Sequence, residues 1–188
     1  PVGWGDVVVV QGTGPVGLAA LAVARQSGAG KVIVIGGPPH RLEIARRFGA
    51  GVAVDFAAGS QAERQKQVIE ATGGYGADVV IECVGLPPAV NEGIELVRDG
   101  GKFLVLGQYA NAGNIEFNPH TITRKQLEIR GSWGFEPRHV GAALRMLELG
   151  NWAELFASQV THRFALEEAN TALETVKQWQ SGKAVLTP

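Results

Sequence analysis

The sequence predicts an α/β fold, a doubly wound parallel sheet of six strands. Three observations carry that expectation. Val7-Val8-Val9-Val10 and several later Val/Ile-rich runs are nearly continuous, as in parallel strands buried on both faces. Stretches with helical spacing of apolar residues separate those runs, giving βα alternation. Glycine, 26 of 188 residues, gathers at the ends of the apolar runs, where tight βα and αβ turns need it.

Each element follows in order. Asp6–Gln11 reads as a first strand and Pro15–Ser27 as a helix whose proline sits where its missing N–H leaves no helical bond unmade. Lys31–Ile35 is a second strand. Pro38–Phe48 is a helix with Leu42, Ala45 and Phe48 facing inward and Gly49 as its cap. Val52–Asp55 is a short strand, Ser60–Ala71 a charged, exposed helix, and Asp78–Glu82 a fourth strand. Pro88–Arg98 is a helix and Lys102–Leu106 a fifth strand. Pro119–Arg124 is a short helix, and Gln126–Arg130 closes the sheet. Two βαβαβ halves place a ligand crevice at the carboxyl ends of the first and fourth strands.

From Gly131 the rhythm changes. Pro137–Leu149 is an amphipathic helix, Val160–Phe164 is strand-like, Glu167–Gln180 is a helix and Lys183–Leu186 a last short strand. Gly150–Ser158 carries no recognisable binding motif. The expected division is 1–130 and 131–188, the latter too small to bury a core of its own. The start at Pro1, without methionine and almost directly into a core strand, looks like a cut piece of something longer.

Composition narrows the function classes. The chain is 45% hydrophobic and 19% charged with a formal charge of −1, which fits a soluble protein and gives no reason to expect nucleic acid or an anionic membrane as partner. The longest apolar stretch, Gly14 to Ala24, falls short of the about 20 residues that cross a bilayer. Cys83 is the only cysteine. It excludes an internal disulfide and, with no signal peptide, suits a reducing, cytoplasmic setting.

The most informative residues are Gly12, Gly14 and Gly17, in Gly12-Thr13-Gly14-Pro15-Val16-Gly17 directly after the valine run. Between a buried strand and a helix, the three glycines provide in turn a tight bend, room for a pyrophosphate, and close helix–strand packing. The free N–H groups and dipole at that helix end favour a phosphate. An acid that binds the ribose 2′-hydroxyl is expected about 20 residues beyond the glycines, and there the chain has Gly36, followed by Gly37, with no carboxylate before Glu43. Without the acid, repulsion of a 2′-phosphate is relieved, and His40 or Arg41 could approach one. That leans towards NADP, with NAD held through backbone contacts as the alternative.

Cys83, Val84 and Gly85 close the fourth strand, and Leu106, Gly107 and Gln108 close the fifth, at the mouth of the crevice. Gly85 and Gly107 are expected to admit a ribose or nicotinamide ring close to the backbone. Cys83 reads as a small core residue rather than a nucleophile. His40, His120, His139 and His162 lack metal-ligand spacing and read as surface or capping residues. Trp133 packs in the core or walls the nicotinamide end.

These residues resemble the cofactor domain of the medium-chain, zinc-type alcohol dehydrogenases. The resemblance lies in Gly5 to Leu18, in Arg41-Leu42-Glu43-Ile44-Ala45-Arg46-Arg47-Phe48-Gly49-Ala50, in Gly76 to Gly85, in Gly100-Gly101-Lys102 and in the ending Gly182 to Pro188. It implies a Rossmann domain followed by a C-terminal segment that completes a GroES-like catalytic domain, whose zinc ligands have no matching position in this chain. It implies Gly12, Gly14, Pro15, Val16 and Gly17 at the pyrophosphate of a nicotinamide dinucleotide, and Gly36, Gly37 and Arg41 around the adenosine ribose. Cys83, Val84, Gly85, Leu106, Gly107 and Gln108 would lie near the nicotinamide, and Lys183 on the phosphates. The implied reaction moves hydride between an alcohol, secondary or polyol, and NADP or NAD, with catalytic zinc from the part not in this chain. The implied homo-oligomer pairs along the sixth-strand edge. A zinc-free quinone or enoyl reductase and a non-catalytic dinucleotide-binding module are the alternatives.

Overall fold

The computed structural model describes residues 2–188. It forms two compact units, one ending at Trp133 and one spanning Gly134–Pro188, against the boundary at 130/131 expected from the sequence.

The first unit is a six-stranded sheet in the order β3-β2-β1-β4-β5-β6, parallel throughout. Its strands are β1 (Val7–Gln11), β2 (Lys31–Gly36), β3 (Val52–Asp55), β4 (Ala77–Glu82), β5 (Val97–Val105) and β6 (Glu128–Gly131). Between them run α1 (Pro15–Gln26), α2 (Pro39–Arg47), α3 (Gln61–Ala71), α4 (Pro87–Leu96) and α5 (His120–Lys125). The order reverses between β1 and β4, so a crevice opens at their carboxyl ends, the site this topology offers to ligands. Val8, Val9 and Val10 are fully buried, which explains why the run shows no alternation.

Local chemistry sets the boundaries. Leu42, Ala45 and Phe48 point inward as expected, and Gly49 ends the turn after α2 at φ +97°. Ser60 and Glu63 form a capping box that starts α3. This helix is less exposed than its composition suggests, because Arg64 is buried. Its Nε donates to Glu92 of α4 (3.0 Å), and Nη1 donates to the carbonyls of Phe56 and Gly59 (3.1 and 3.0 Å). The loop after β3 is thereby tied to α4. Buried Lys125 donates to the Ile94 and Glu95 carbonyls (2.9 and 3.2 Å) and so caps the end of α4.

The strand β5 begins earlier than the sequence suggests. Ala77 pairs with Val97 and then Val79 with Lys102, so Arg98 to Gly101 bulge out of the ladder. Arg98 turns back to Asp78, whose carboxylate also accepts the Val7 N–H (2.7 Å) at the entry to β1. Burial disfavours the Asp78 charge, but the Val7 N–H and the Arg98 guanidinium outweigh it and hold the pKa below the ordinary value.

The second unit holds α6 (Pro137–Leu147), α7 (Trp152–Ser158), β7 (Val160–Ala165), a 3-10 turn (Leu166–Glu168), α8 (Ala169–Lys177) and β8 (Lys183–Thr187), with β7 and β8 paired in parallel. Neither α6 nor α7 buries any residue fully. His139 accepts the Glu136 N–H (3.0 Å) as part of the α6 cap.

Candidate functional site

The site is built around the turn from β1 into α1. Gly12 has φ +105°, and its N–H donates to the Ile35 carbonyl (2.7 Å). A Cβ there would lie 3.0 Å from the Cys83 carbonyl oxygen, so the turn needs glycine for its dihedral and for its neighbour just past β4. Gly17 faces back onto the turn, and a Cβ there would collide with the carbonyl oxygen of Gly12. Gly14 differs from both. It lies in extended backbone at φ −75°, ψ 178° as the α1 N-cap, and nothing lies within 4 Å of where its Cβ would be. Its missing side chain leaves open space directly before Pro15, the first helical residue. The amides of Val16 and Gly17 have no carbonyl one turn earlier in the helix, whereas Leu18 N–H donates to Gly14 O (3.0 Å). Two N–H donors and the positive end of a helix dipole thus border that space, an arrangement suited to a diphosphate.

At the end of β2, Gly36 is packed rather than open. A Cβ there would meet the Thr13 side chain at 2.5 Å. Thr13 Oγ1 is held in place, donating to the Gly37 carbonyl (3.0 Å) and accepting the Gly37 N–H (3.1 Å). An acid at this position would collide with Thr13. Arg41, in the first turn of α2, is buried, and that burial pulls its pKa below the ordinary value. His40 beside it is exposed.

The loops after β4 and β5 meet over a carboxylate that no sequence motif marks. Glu82 is fully buried at the end of β4. Its Oε1 accepts the N–H groups of Val84 and Gly85 (2.6 and 2.7 Å), and Oε2 accepts that of Gly107 (3.2 Å). A Cβ on Gly85 would lie 2.5 Å from the Gly107 carbonyl, and one on Gly107 would lie 2.6 Å from Glu82 Oε1. The missing side chains of these two glycines let two loops and a carboxylate pack together. The signal for this was Glu82 itself, an acid ending an otherwise apolar strand.

Cys83 is partly buried, and burial, aided by the Glu82 charge, pushes its thiol up to about 12. At pH 8 that leaves roughly one thiolate in ten thousand. Treatment of the folded chain with an aromatic disulfide at pH 8 should therefore react about a thousandfold more slowly than in denaturant. Equal rates would show the thiol to be activated.

Gln108 Nε2 is buried and has no hydrogen-bond partner among the described residues, a donor free for a ligand at this end of the crevice. Nearby, Tyr109 and Trp133 stack with ring centroids 4.7 Å apart, both largely exposed. Trp133 is therefore not a core residue of its unit. Lys183 starts β8, exposed, in the second unit. A cavity of about 140 Å³ lies elsewhere, on the β4–β5–β6 face beside Val79, Ile81 and Leu104. The glycine turn borders an open crevice instead.

The open seat at Gly14 and the free amide of Gln108 fit a dinucleotide. Among the described residues, no group of three His, Cys, Asp or Glu could hold a metal ion, so a zinc ion does not fit this chain alone. No helix among the described residues is long and apolar enough to cross a membrane.

Comparison with known proteins shows the family to which this fold belongs. The chain is 40% identical over 177 residues to a 5-exo-hydroxycamphor dehydrogenase of Pseudomonas putida, covering 94% of this chain and 49% of that protein. It is 37% identical over 187 residues to a sorbitol dehydrogenase of Halalkalibacterium halodurans, covering 98% and 52%. A crystal structure of an alcohol dehydrogenase from Thermotoga maritima superposes with a TM-score of 0.92 at 34% identity, covering 100% of this chain and 51% of that one. The chain thus spans about half the length of its relatives and matches their cofactor-binding half. The family profile described as zinc-binding dehydrogenase matches residues 15–148, and the chain belongs to that family.

Proposed function

We propose that the chain is the NAD(P)-binding half of an oxidoreductase that exchanges hydride between an alcohol, secondary or polyol, and a nicotinamide ring. The observation that carries this reading is the empty space at Gly14, bordered by the free N–H groups of Val16 and Gly17 at the β1/β4 switch point. When bound, the nicotinamide accepts hydride from the alcohol carbon. The residues here orient it. Gly12, Gly14, Pro15, Val16 and Gly17 hold the pyrophosphate, and Gly36, Gly37 and Arg41 hold the adenosine ribose. Cys83, Val84, Gly85, Leu106, Gly107 and Gln108 face the nicotinamide half, and Lys183 the phosphates. Gln108 Nε2 supplies a donor for the nicotinamide carboxamide.

Residues 131–188 belong, in this reading, to a catalytic domain completed by residues outside this chain, and the exposed helix α6 supports it. The sheet edge at β6, exposed along its length, is the surface for pairing two copies, which would satisfy its open hydrogen-bonding groups. The single cysteine favours a cytoplasmic setting.

The test is an amide NMR titration of the chain with NAD⁺ and NADP⁺. The Gly12, Gly14, Val16 and Gly17 resonances should shift first and furthest. Shifts confined to other regions, or none at millimolar ligand, would refute the assignment.

A further inference from the structure

The carboxylate missing from the end of β2 has a neighbour that stands in for it. Gly36 cannot carry one while Thr13 occupies the space beside it and bridges Gly37. On the adjacent strand, Asp55 is the register partner of Gly36 in the parallel β2–β3 pair. Paired residues on parallel strands project from the same face of a sheet, with strands about 4.8 Å apart. The pairing continues past the strand ends, where the Phe56 N–H donates to the Gly36 carbonyl (2.7 Å). Asp55 Oδ1 accepts the Ala57 N–H (2.8 Å) and lies 3.5 Å from the position of a Cβ on Gly37. An acid therefore stands on the side of Gly37 where a side chain would lie, at the carboxyl end of the sheet, although none is attached to β2.

We infer that Asp55 accepts the ribose 2′-hydroxyl of the dinucleotide and makes the site selective for NAD over NADP. The inference rests on the dinucleotide reading above and reverses the lean towards NADP given by Gly36 alone. A carboxylate accepts a hydrogen bond from a hydroxyl but repels a 2′-phosphate, whose charge has the same sign. Of the nearby cationic residues, His40 is exposed to solvent and Arg41 is buried. Linear sequence hides this arrangement because the acid comes from the third strand, far from the glycines along the chain.

The experiment is a calorimetric titration of the 188-residue chain and of its Asp55→Asn and Asp55→Ser variants with NAD⁺ and with NADP⁺. Asn keeps an acceptor for the Ala57 N–H while removing the charge, and Ser provides a second variant if Asn perturbs the loop. The unaltered chain should bind NAD⁺ about tenfold or more tightly than NADP⁺, and each variant should lower that ratio by about tenfold. Preference of the unaltered chain for NADP⁺ would overturn the inference. So would an unchanged ratio with both affinities reduced, which would place Asp55 at the adenine shared by the two cofactors. Absence of binding by either dinucleotide would instead refute the underlying dinucleotide reading, and the inference with it.

Discussion

Gly14→Val is expected to leave the fold intact and to weaken dinucleotide binding by at least about a hundredfold, or roughly 2.7 kcal/mol. Its backbone at φ −75°, ψ 178° suits any residue, and no atom lies within 4 Å of the site of a new Cβ. The valine would fold without strain and stand where a pyrophosphate must approach the Val16 and Gly17 amides. Calorimetry reads the affinity, and thermal unfolding, expected within a few degrees of the parent, reads the fold. Undiminished affinity in a folded variant would move the ligand away from this turn.

Gly17→Ala is expected to do the opposite. Its Cβ would run into the Gly12 carbonyl oxygen, a backbone atom fixed by the Gly12 N–H bond to Ile35. Flexible side chains can yield to an added methyl, but here α1 itself would have to lift off β1. We expect a loss of more than about 3 kcal/mol, at the upper end of overpacking costs, measured by urea unfolding. A variant of normal stability would show that the helix can shift without cost. Two glycines three residues apart in one motif thus separate binding from stability, a distinction that their shared spacing does not reveal.

What the sequence made legible follows from physics that acts locally. The valine run declared a buried strand, Pro15 a helix start and Gly49 a helix end, because each depends on a residue and its near neighbours. The bulge at Arg98 to Gly101 was hidden, since Arg98-Asp99-Gly100-Gly101 looks like a turn and only pairing with β4 draws Val97 into the sheet. The helix α7, Trp152–Ser158, is too short for an apolar period to stand out. At the site, the glycine turn was evident from context. The packing of Gly85 on Gly107, the Thr13 block at Gly36 and the Asp55 carboxylate were not, because each arises where separate strands end side by side.

The shared grip of Glu82 on the connections after β4 and β5 has a mechanical consequence. One acid side chain rivets them into a single platform, so neither can swing independently as a flap. A hinge within either connection alone would have to break those hydrogen bonds first, so the two move together or not at all.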